Sequence, residues 1–282
     1  MLRLLITLLA LALTVALALT QGTADRCAAD NAVCGTGKTV TKTLELGKGR
    51  LPSKIQANAG NAEVVIVKGT GNKVVWQVDE GFLTQMPKLE GKRAAGDKLL
   101  VLIYAHMVTK SGRATSSLKF LCPEGLTCVN KVTVTMASLT SIKQNGDGPV
   151  SSDAHWEVAK LKLENWGQSA ISLNVKAARV VTMAYTGSFA LRGTTARLRL
   201  RQRSETPSNL LGLKVRVVVL DVKGPRPDDS RFHKPYAARG LVSVFATRVL
   251  LVRFKLKGTV AYSGKPKVSY NKYPGGKVTK IE

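Results

Sequence analysis

Three stretches decide how this chain folds: Asn145-Gly146-Asp147-Gly148-Pro149-Val150, Trp166-Gly167-Gln168-Ser169-Ala170-Ile171 and Thr186-Gly187-Ser188-Phe189-Ala190-Leu191. Each is a glycine turn followed by a short apolar or alternating run, and the turn returns about every 20 residues. Looser copies centre on Gly224, Gly258 and Gly275-Gly276. A unit of that size cannot bury its own apolar face and must stack on its neighbours, which is the pattern of a solenoid. Between the turns, Lys160-Leu161-Lys162-Leu163-Glu164 and Ile171-Ser172-Leu173-Asn174-Val175 alternate cleanly. Successive side chains of a strand face opposite sides. The alternation therefore places Leu161, Leu163, Ile171, Leu173, Val175, Val180, Leu191, Leu198 and Leu200 inside a parallel stack, and Lys160, Lys162, Ser172 and Asn174 outside it.

Upstream of the repeat the pattern is also β. Glu63 to Val67 and Lys73 to Val78 are β-branched runs flanking Lys68-Gly69-Thr70-Gly71-Asn72, which reads as a hairpin-like connection. Lys98 to Tyr104 reads as a buried strand, and residues 105–130 as a long irregular excursion. No stretch beyond the leader shows a sustained helical period with caps. The expected organisation is a signal peptide over 1–24, a polar lead-in over 25–38, a β-rich part over 39–130 and the solenoid repeat over 131–282.

The first 24 residues carry the marks of export. A short positive start, Met1-Leu2-Arg3, precedes the apolar run Leu4 to Leu19, and Gly22-Thr23-Ala24 supplies the small residues of a cleavage site. That run is short of the ~20 residues a spanning helix needs, so the mature chain is expected to be exported without a transmembrane segment, to the periplasm, the cell surface or the medium. Four cysteines in an exported chain point to two disulfides out of three pairings. Pro123 and Gly125 can turn the chain between Cys122 and Cys128, which favours that pair, with Cys27 and Cys34 as the second. A zinc site does not fit the spacings, because His106, His155 and His233 lie far from the cysteines.

Catalytic signals are weak. Ala32-Val33-Cys34-Gly35-Thr36-Gly37-Lys38-Thr39 fits a permissive phosphate-loop pattern, but it lacks the first glycine and precedes a strand-like run where a helix is required. The acidic residues after Lys131 are scattered, and the one adjacent pair, Asp228-Asp229, sits in a Pro-rich loop between Arg226 and Arg231. A carbohydrate-cleaving site needs clustered carboxylates. The expectation is a chain with no enzymatic activity, no cofactor and no metal.

Charge is the strongest functional signal. The formal net charge is +25 at pH 7, from 43 Lys and Arg against 18 Asp and Glu. Such an excess predicts affinity for polyanions and says nothing about fold. It is concentrated in Arg197-Leu198-Arg199-Leu200-Arg201-Gln202-Arg203, where alternation sets four arginines on one strand face, preceded by Arg192. Lys214-Val215-Arg216 and Arg253-Phe254-Lys255-Leu256-Lys257 are read as the same device in later rungs. Arginine forks suit phosphate and carboxylate. Aromatic residues are only 5% of the chain, which disfavours base-stacking recognition of nucleic acid.

The turns also resemble a known family, the auto-transporter adhesins with a head GIN domain found in bacterial envelopes. The resemblance rests on Gly146-Asp147-Gly148-Pro149-Val150 and Gly167-Gln168-Ser169-Ala170-Ile171, and on Gly258-Thr259-Val260-Ala261-Tyr262-Ser263-Gly264-Lys265-Pro266-Lys267-Val268 with the closing turn Gly275 to Ile281. It spans residues 39–282. It implies a right-handed parallel β-helix-like solenoid in the C-terminal half, behind an irregular β-rich N-terminal portion. It brings no biochemical activity with it. Together these readings predict an exported, non-enzymatic envelope or surface protein. The predicted partners of its basic face are an anionic glycan, a lipid headgroup or another envelope polyanion. The alternative is a structural envelope protein that self-associates or contacts another protein, its charge serving solubility.

Overall fold

A computed structural model describes residues 33–45, 53–58, 62–70, 73–81, 89–90, 93–94, 97–103, 120–122, 126–223, 240–255 and 257–282. Their regular structure is β, with no α-helix among the described residues. In chain order the strands are β1 (Val33–Cys34), β2 (Thr39–Glu45), β3 (Lys54–Asn58), β4 (Glu63–Lys68), β5 (Lys73–Asp79), β6 (Leu89–Glu90), β7 (Arg93–Ala94), β8 (Asp97–Ile103), β9 (Phe120–Leu121), β10 (Asn130–Met136) and β11 (Ser141–Gln144). Five long strands follow: β12 (Val150–Asn165), β13 (Ala170–Ala184), β14 (Ser188–Gln202), β15 (Ser208–Val222) and β16 (Gly240–Phe254). Three short ones close the chain: β17 (Gly258–Ser263), β18 (Lys267–Tyr270) and β19 (Gly276–Lys280). The chain divides into two units, the larger made of 43–76, 87–104 and 131–282, the smaller of 1–42, 77–86 and 105–130.

The C-terminal half of the larger unit is a β-solenoid of about six turns. Its strands pair in parallel, so equivalent residues stack in columns: Leu161, Val180, Leu198, Val218, Leu250 and Val268 lie in successive register, and all but Val268 are fully buried. All nine residues that alternation placed inside are buried, and Lys160 and Lys162 are exposed.

A straight strand of 15 residues would run roughly 50 Å. These strands bend instead, and the burial pattern shows where. In β13 the buried residues are Ile171, Leu173, Val175 and Ala177, then Val180, Thr182 and Ala184. The alternation slips by one residue between Ala177 and Val180, so the strand turns a corner and still points its apolar side chains inward. β14 turns a first corner at Gly193, at φ 102°, before a second at its own slip between Thr195 and Leu198, and a Cβ at Gly193 would collide with the carbonyl oxygen of Val175 on the preceding coil. Gly167, at the turn between β12 and β13, faces the Gly146 carbonyl so closely that any side chain would displace it.

At the corner that ends a coil, the inward column carries amides on three coils and the apolar Val222 and Phe254 on later ones. Gln144, Asn165 and Gln202 are buried there, with Ala184 in register between the last two. Gln144 Nε2 donates to the carbonyls of Gly146, at 2.8 Å, and Gly148. Gln202 Nε2 donates to Ser204 O at 3.1 Å and Thr206 O at 3.0 Å, and its Oε1 accepts from Ser208 Oγ at 3.0 Å. Asn165 Nδ2 donates to Ser169 O at 2.7 Å and to Ser188 O at 2.9 Å on the next coil, which serves the turn that Ala184 cannot. A turn that leaves the sheet loses its ladder partners, and buried carbonyls need replacements. The corner amides supply them.

The stack also takes in strands from before the excursion. Ile55 of β3 lies in register between Leu100 of β8 and Ile142 of β11, all in parallel. Val64 of β4 pairs with Val132 of β10 on one edge and Val150 of β12 on the other. The hairpin expected across Lys68–Asn72 is therefore not what places β4: both its edges at Val64 are occupied by parallel partners, and Gly71 and Asn72 lie outside the described residues.

In the smaller unit, β1 and β9 pair in parallel through Val33–Phe120 and Cys34–Leu121. Cys122 and Cys128 form a disulfide with Cα atoms 5.6 Å apart. The other expected pairing involves Cys27, which lies outside the described residues, as do the leader and the Asp228-Asp229 loop. Asp79 is buried and accepts hydrogen bonds from Thr36 N at 2.6 Å, Gly37 N at 2.7 Å, Gly81 N at 2.8 Å and Thr36 Oγ1 at 3.2 Å. Burial opposes its ionisation, but the backbone donors of Thr36, Gly81 and Gly37 and the Thr36 hydroxyl outweigh it and hold the carboxyl below the usual range. The glycine loop with the phosphate-loop pattern thus spends its N–H groups on Asp79.

Candidate functional site

The solenoid side that runs from the second corner of each coil to its closing turn carries the charge. Four outward positions repeat along it, with neighbouring coils about 4.8 Å apart and alternate residues about 7 Å apart. On β12 and its closing residue they are Lys160, Lys162, Glu164 and Trp166. On β13 they are Arg179, Val181, Met183 and Tyr185, and on β14 Arg197, Arg199, Arg201 and Arg203. On β15 they are Val217, Val219, Asp221 and Lys223, and on β16 Val249, Leu251, Arg253 and Lys255. The closing residues Trp166, Tyr185, Arg203, Lys223 and Lys255 each donate their backbone N–H to the coil before, so this column stays in step.

The four arginines of β14 do share one face, as alternation required. Arg197 and Arg199 are exposed and Arg201 and Arg203 half-buried. Arg199 Nη2 lies 3.5 Å from Asp221 Oδ2, and Asp221 is buried beneath the surrounding side chains. The Arg203 guanidinium sits 5.4 Å from the ring centre of Tyr185, which stacks on Trp166.

Arg253 and Lys255 join the same face, Arg253 in register with Asp221. Lys214 and Arg216 do not extend the arginine stripe. Lys214 pairs with Thr194, and the rung aligned with Arg197 to Arg203 is Val217 to Lys223. Arg192 lies on the earlier side of its coil, in register with Asn174. Lys257 is exposed past the closing turn, beside Gly275.

The face also holds cations that sequence reading did not single out as a site. Lys160, Arg179 and Arg197 form one exposed column on three successive coils. Lys223 sits where charge is most crowded. Burial, then the neighbouring charges of Arg201 and Lys255, with Arg203 adding, hold its ammonium below the usual lysine range against the pull of Asp221. The other acid on the grid, Glu164, is used locally. Burial opposes its ionisation, and Lys162 at 2.7 Å, the Trp166 side chain and the charge of Lys143 more than offset it. Two like charges 4 Å apart repel by ~1 kcal/mol even in bulk water. A face that stacks them coil upon coil is relieved by any multivalent anion laid across it.

Among the described residues no group of three or more His, Cys, Asp or Glu is placed to hold a metal ion. No helix among them is long and apolar enough to cross a membrane.

Comparison with known proteins agrees with this architecture. The sequence profile of the family described as "Putative auto-transporter adhesin, head GIN domain" matches residues 52–225, more than half of the chain, and the chain belongs to that family. The match ends before the Gly258–Val268 run. No curated protein matches the sequence. Among solved structures, an adhesin so named from Bacteroides fragilis aligns with a TM-score of 0.65 at 15% identity, covering 89% of this chain and 100% of that one. An adhesin so named from Parabacteroides distasonis aligns at 0.60 with 18% identity, and a protein from the same species named for lipid binding at 0.58 with 12% identity, each with the same coverage. At these identities the likeness is one of fold.

Proposed function

We propose that this member of the head GIN family is an exported, non-enzymatic protein of the cell envelope or surface that binds polyanions through the cationic side of its solenoid. The observation that carries the reading is the grid itself. Three successive coils present Lys160, Arg179 and Arg197 in one column, and the next coils bring Lys223, Arg253 and Lys255 to the same side, with Glu164 and Asp221 as its acids, each engaged with a neighbouring cation. A repeating flat array matches a ligand that repeats its charge, such as an anionic glycan or a polyphosphate, better than a compact solute. The adhesin names of the family and of its structural relatives fit a surface role.

Exposed charges act through solvent and are screened by salt. Binding of the mature protein to polyphosphate and to a sulfated glycan is therefore expected to weaken steadily as salt rises. No binding at low salt, together with a molecular mass that grows with protein concentration, would favour the self-associating structural role instead.

A further inference from the structure

Within the cationic grid lies a block of a different character. Val217 and Val219 of β15 pair in register with Val249 and Leu251 of β16, and all four point outward. The same columns on earlier coils hold Lys160, Arg179 and Arg197, and Lys162, Val181 and Arg199, so these positions are outer ones by every register relation. All four side chains stay partly exposed. The block is ringed by Arg197 and Arg199 on β14, Arg216 and Arg248 at the corners, Arg253 along β16 and Lys267 on β18. Its one acidic neighbour, Asp221, is buried and paired with Arg199.

We propose that this block and its ring dock on the surface of an anionic phospholipid bilayer. The inference rests on the polyanion-binding reading above and narrows it to one partner. A soluble polyanion has charge to offer the ring and nothing to offer four aliphatic side chains. A bilayer presents both at once, phosphate at the surface and hydrocarbon just beneath it. Peripheral attachment is strongest where buried apolar area and attraction to anionic lipid act together. Charge complementarity chooses the leaflet chemistry, because the exposed charges of the ring are basic and its acid, Asp221, is buried against Arg199. The contact is interfacial: a flat sheet face with short side chains reaches the headgroup boundary and does not span.

The test uses the mature protein with three probes: vesicles of phosphatidylglycerol and phosphatidylcholine mixed, vesicles of phosphatidylcholine alone, and polyphosphate. Wild type is expected to sediment with the mixed vesicles and not with neutral ones. The deciding variant is Val219→Lys with Leu251→Lys, which adds two positive charges and removes the apolar centre. It should bind mixed vesicles about tenfold or more weaker, a loss set by the apolar contact, while binding polyphosphate at least as tightly as wild type. Should this variant fail to show the wild-type circular dichroism spectrum, Val219→Thr with Leu251→Thr takes its place, with the same loss on vesicles and unchanged polyphosphate binding.

Vesicle binding by the lysine variant equal to or tighter than wild type would overturn the inference, since charge alone would then suffice. Wild type that binds polyphosphate but not the mixed vesicles would also overturn it, leaving the wider reading intact. Wild type that binds neither would overturn both. A wild-type dimer that the variant abolishes, with no vesicle binding, would assign the block to a second copy and overturn the lipid proposal.

Discussion

Asp79 shows how one residue can define a local structure. It is buried and ionised because four donors converge on it, three of them from the Thr36-Gly37 turn. Replacing it with Asn removes charge and one acceptor oxygen, leaving buried N–H groups poorly met, at a cost of about 1–3 kcal/mol at neutral pH. The sign of the pH effect follows from the lowered pKa. The stabilisation is present above the unfolded value near ~4 and is lost as pH falls through the lower folded value. The stability gap between wild type and Asp79→Asn should therefore be largest at pH 7 and close in acid below pH ~4. Thermal melts across pH read this directly, and a gap that stays constant into acid would show that ionisation is not what the donors stabilise. This role is not legible in the order of residues. Asp79 reads as the polar end of a strand, and its partners lie 42 and 43 residues away in the chain.

At the scale of the element, alternation did most of the work. Every apolar residue it sent inward from Leu161 to Leu200 is buried, because a strand on a packed core has only two faces to choose between. The corners were less legible. The slip of phase at Ala177–Val180 looks in sequence like the end of a strand, whereas the strand continues and bends. The burial of the amides at Gln144, Asn165 and Gln202 has no mark in the sequence, since only the fold shows that turn carbonyls need them. Gln202→Ala should cost about 1–3 kcal/mol, because Ser204 O and Thr206 O lose their donor and Ser208 its acceptor together. Asn209→Ala, at an exposed position of the next coil, should cost far less, although its side chain accepts from Leu211 N. Equal loss of stability in denaturant titrations of the two variants would mean the corner amides are not the device that holds the turns.

For the whole molecule, the repeat period announced a solenoid and the charge a cationic surface, but their register was hidden. Lys214 and Arg216 appear to continue the arginine stripe only if the coils are assumed equal in length. The turn after β14 spans residues 203–207, longer than the 185–187 turn before it, and a bulge between Ala190 and Gly193 moves the register by one residue more. The long insertion between β15 and β16 disguises the kinship of Lys223 with Lys255. The earliest coils were harder still, because β3, β4 and β8 enter the stack from before the 105–130 excursion, at chain separations no 20-residue period reveals.

Replacing Arg197, Arg199, Arg201 and Arg203 together with glutamine tests whether the outward face around β14 binds polyanions by charge. Glutamine preserves strand alternation, and at position 199 it can still donate to Asp221. Exposed ion contacts are worth ~0.2–1 kcal/mol each, so the set should supply ~1–4 kcal/mol, tenfold to several-hundredfold in affinity. The variant is expected to keep the wild-type circular dichroism spectrum, to bind polyphosphate weaker by that factor, and to show a shallower dependence on salt. Wild-type affinity and an unchanged salt slope in a folded variant would contradict the account.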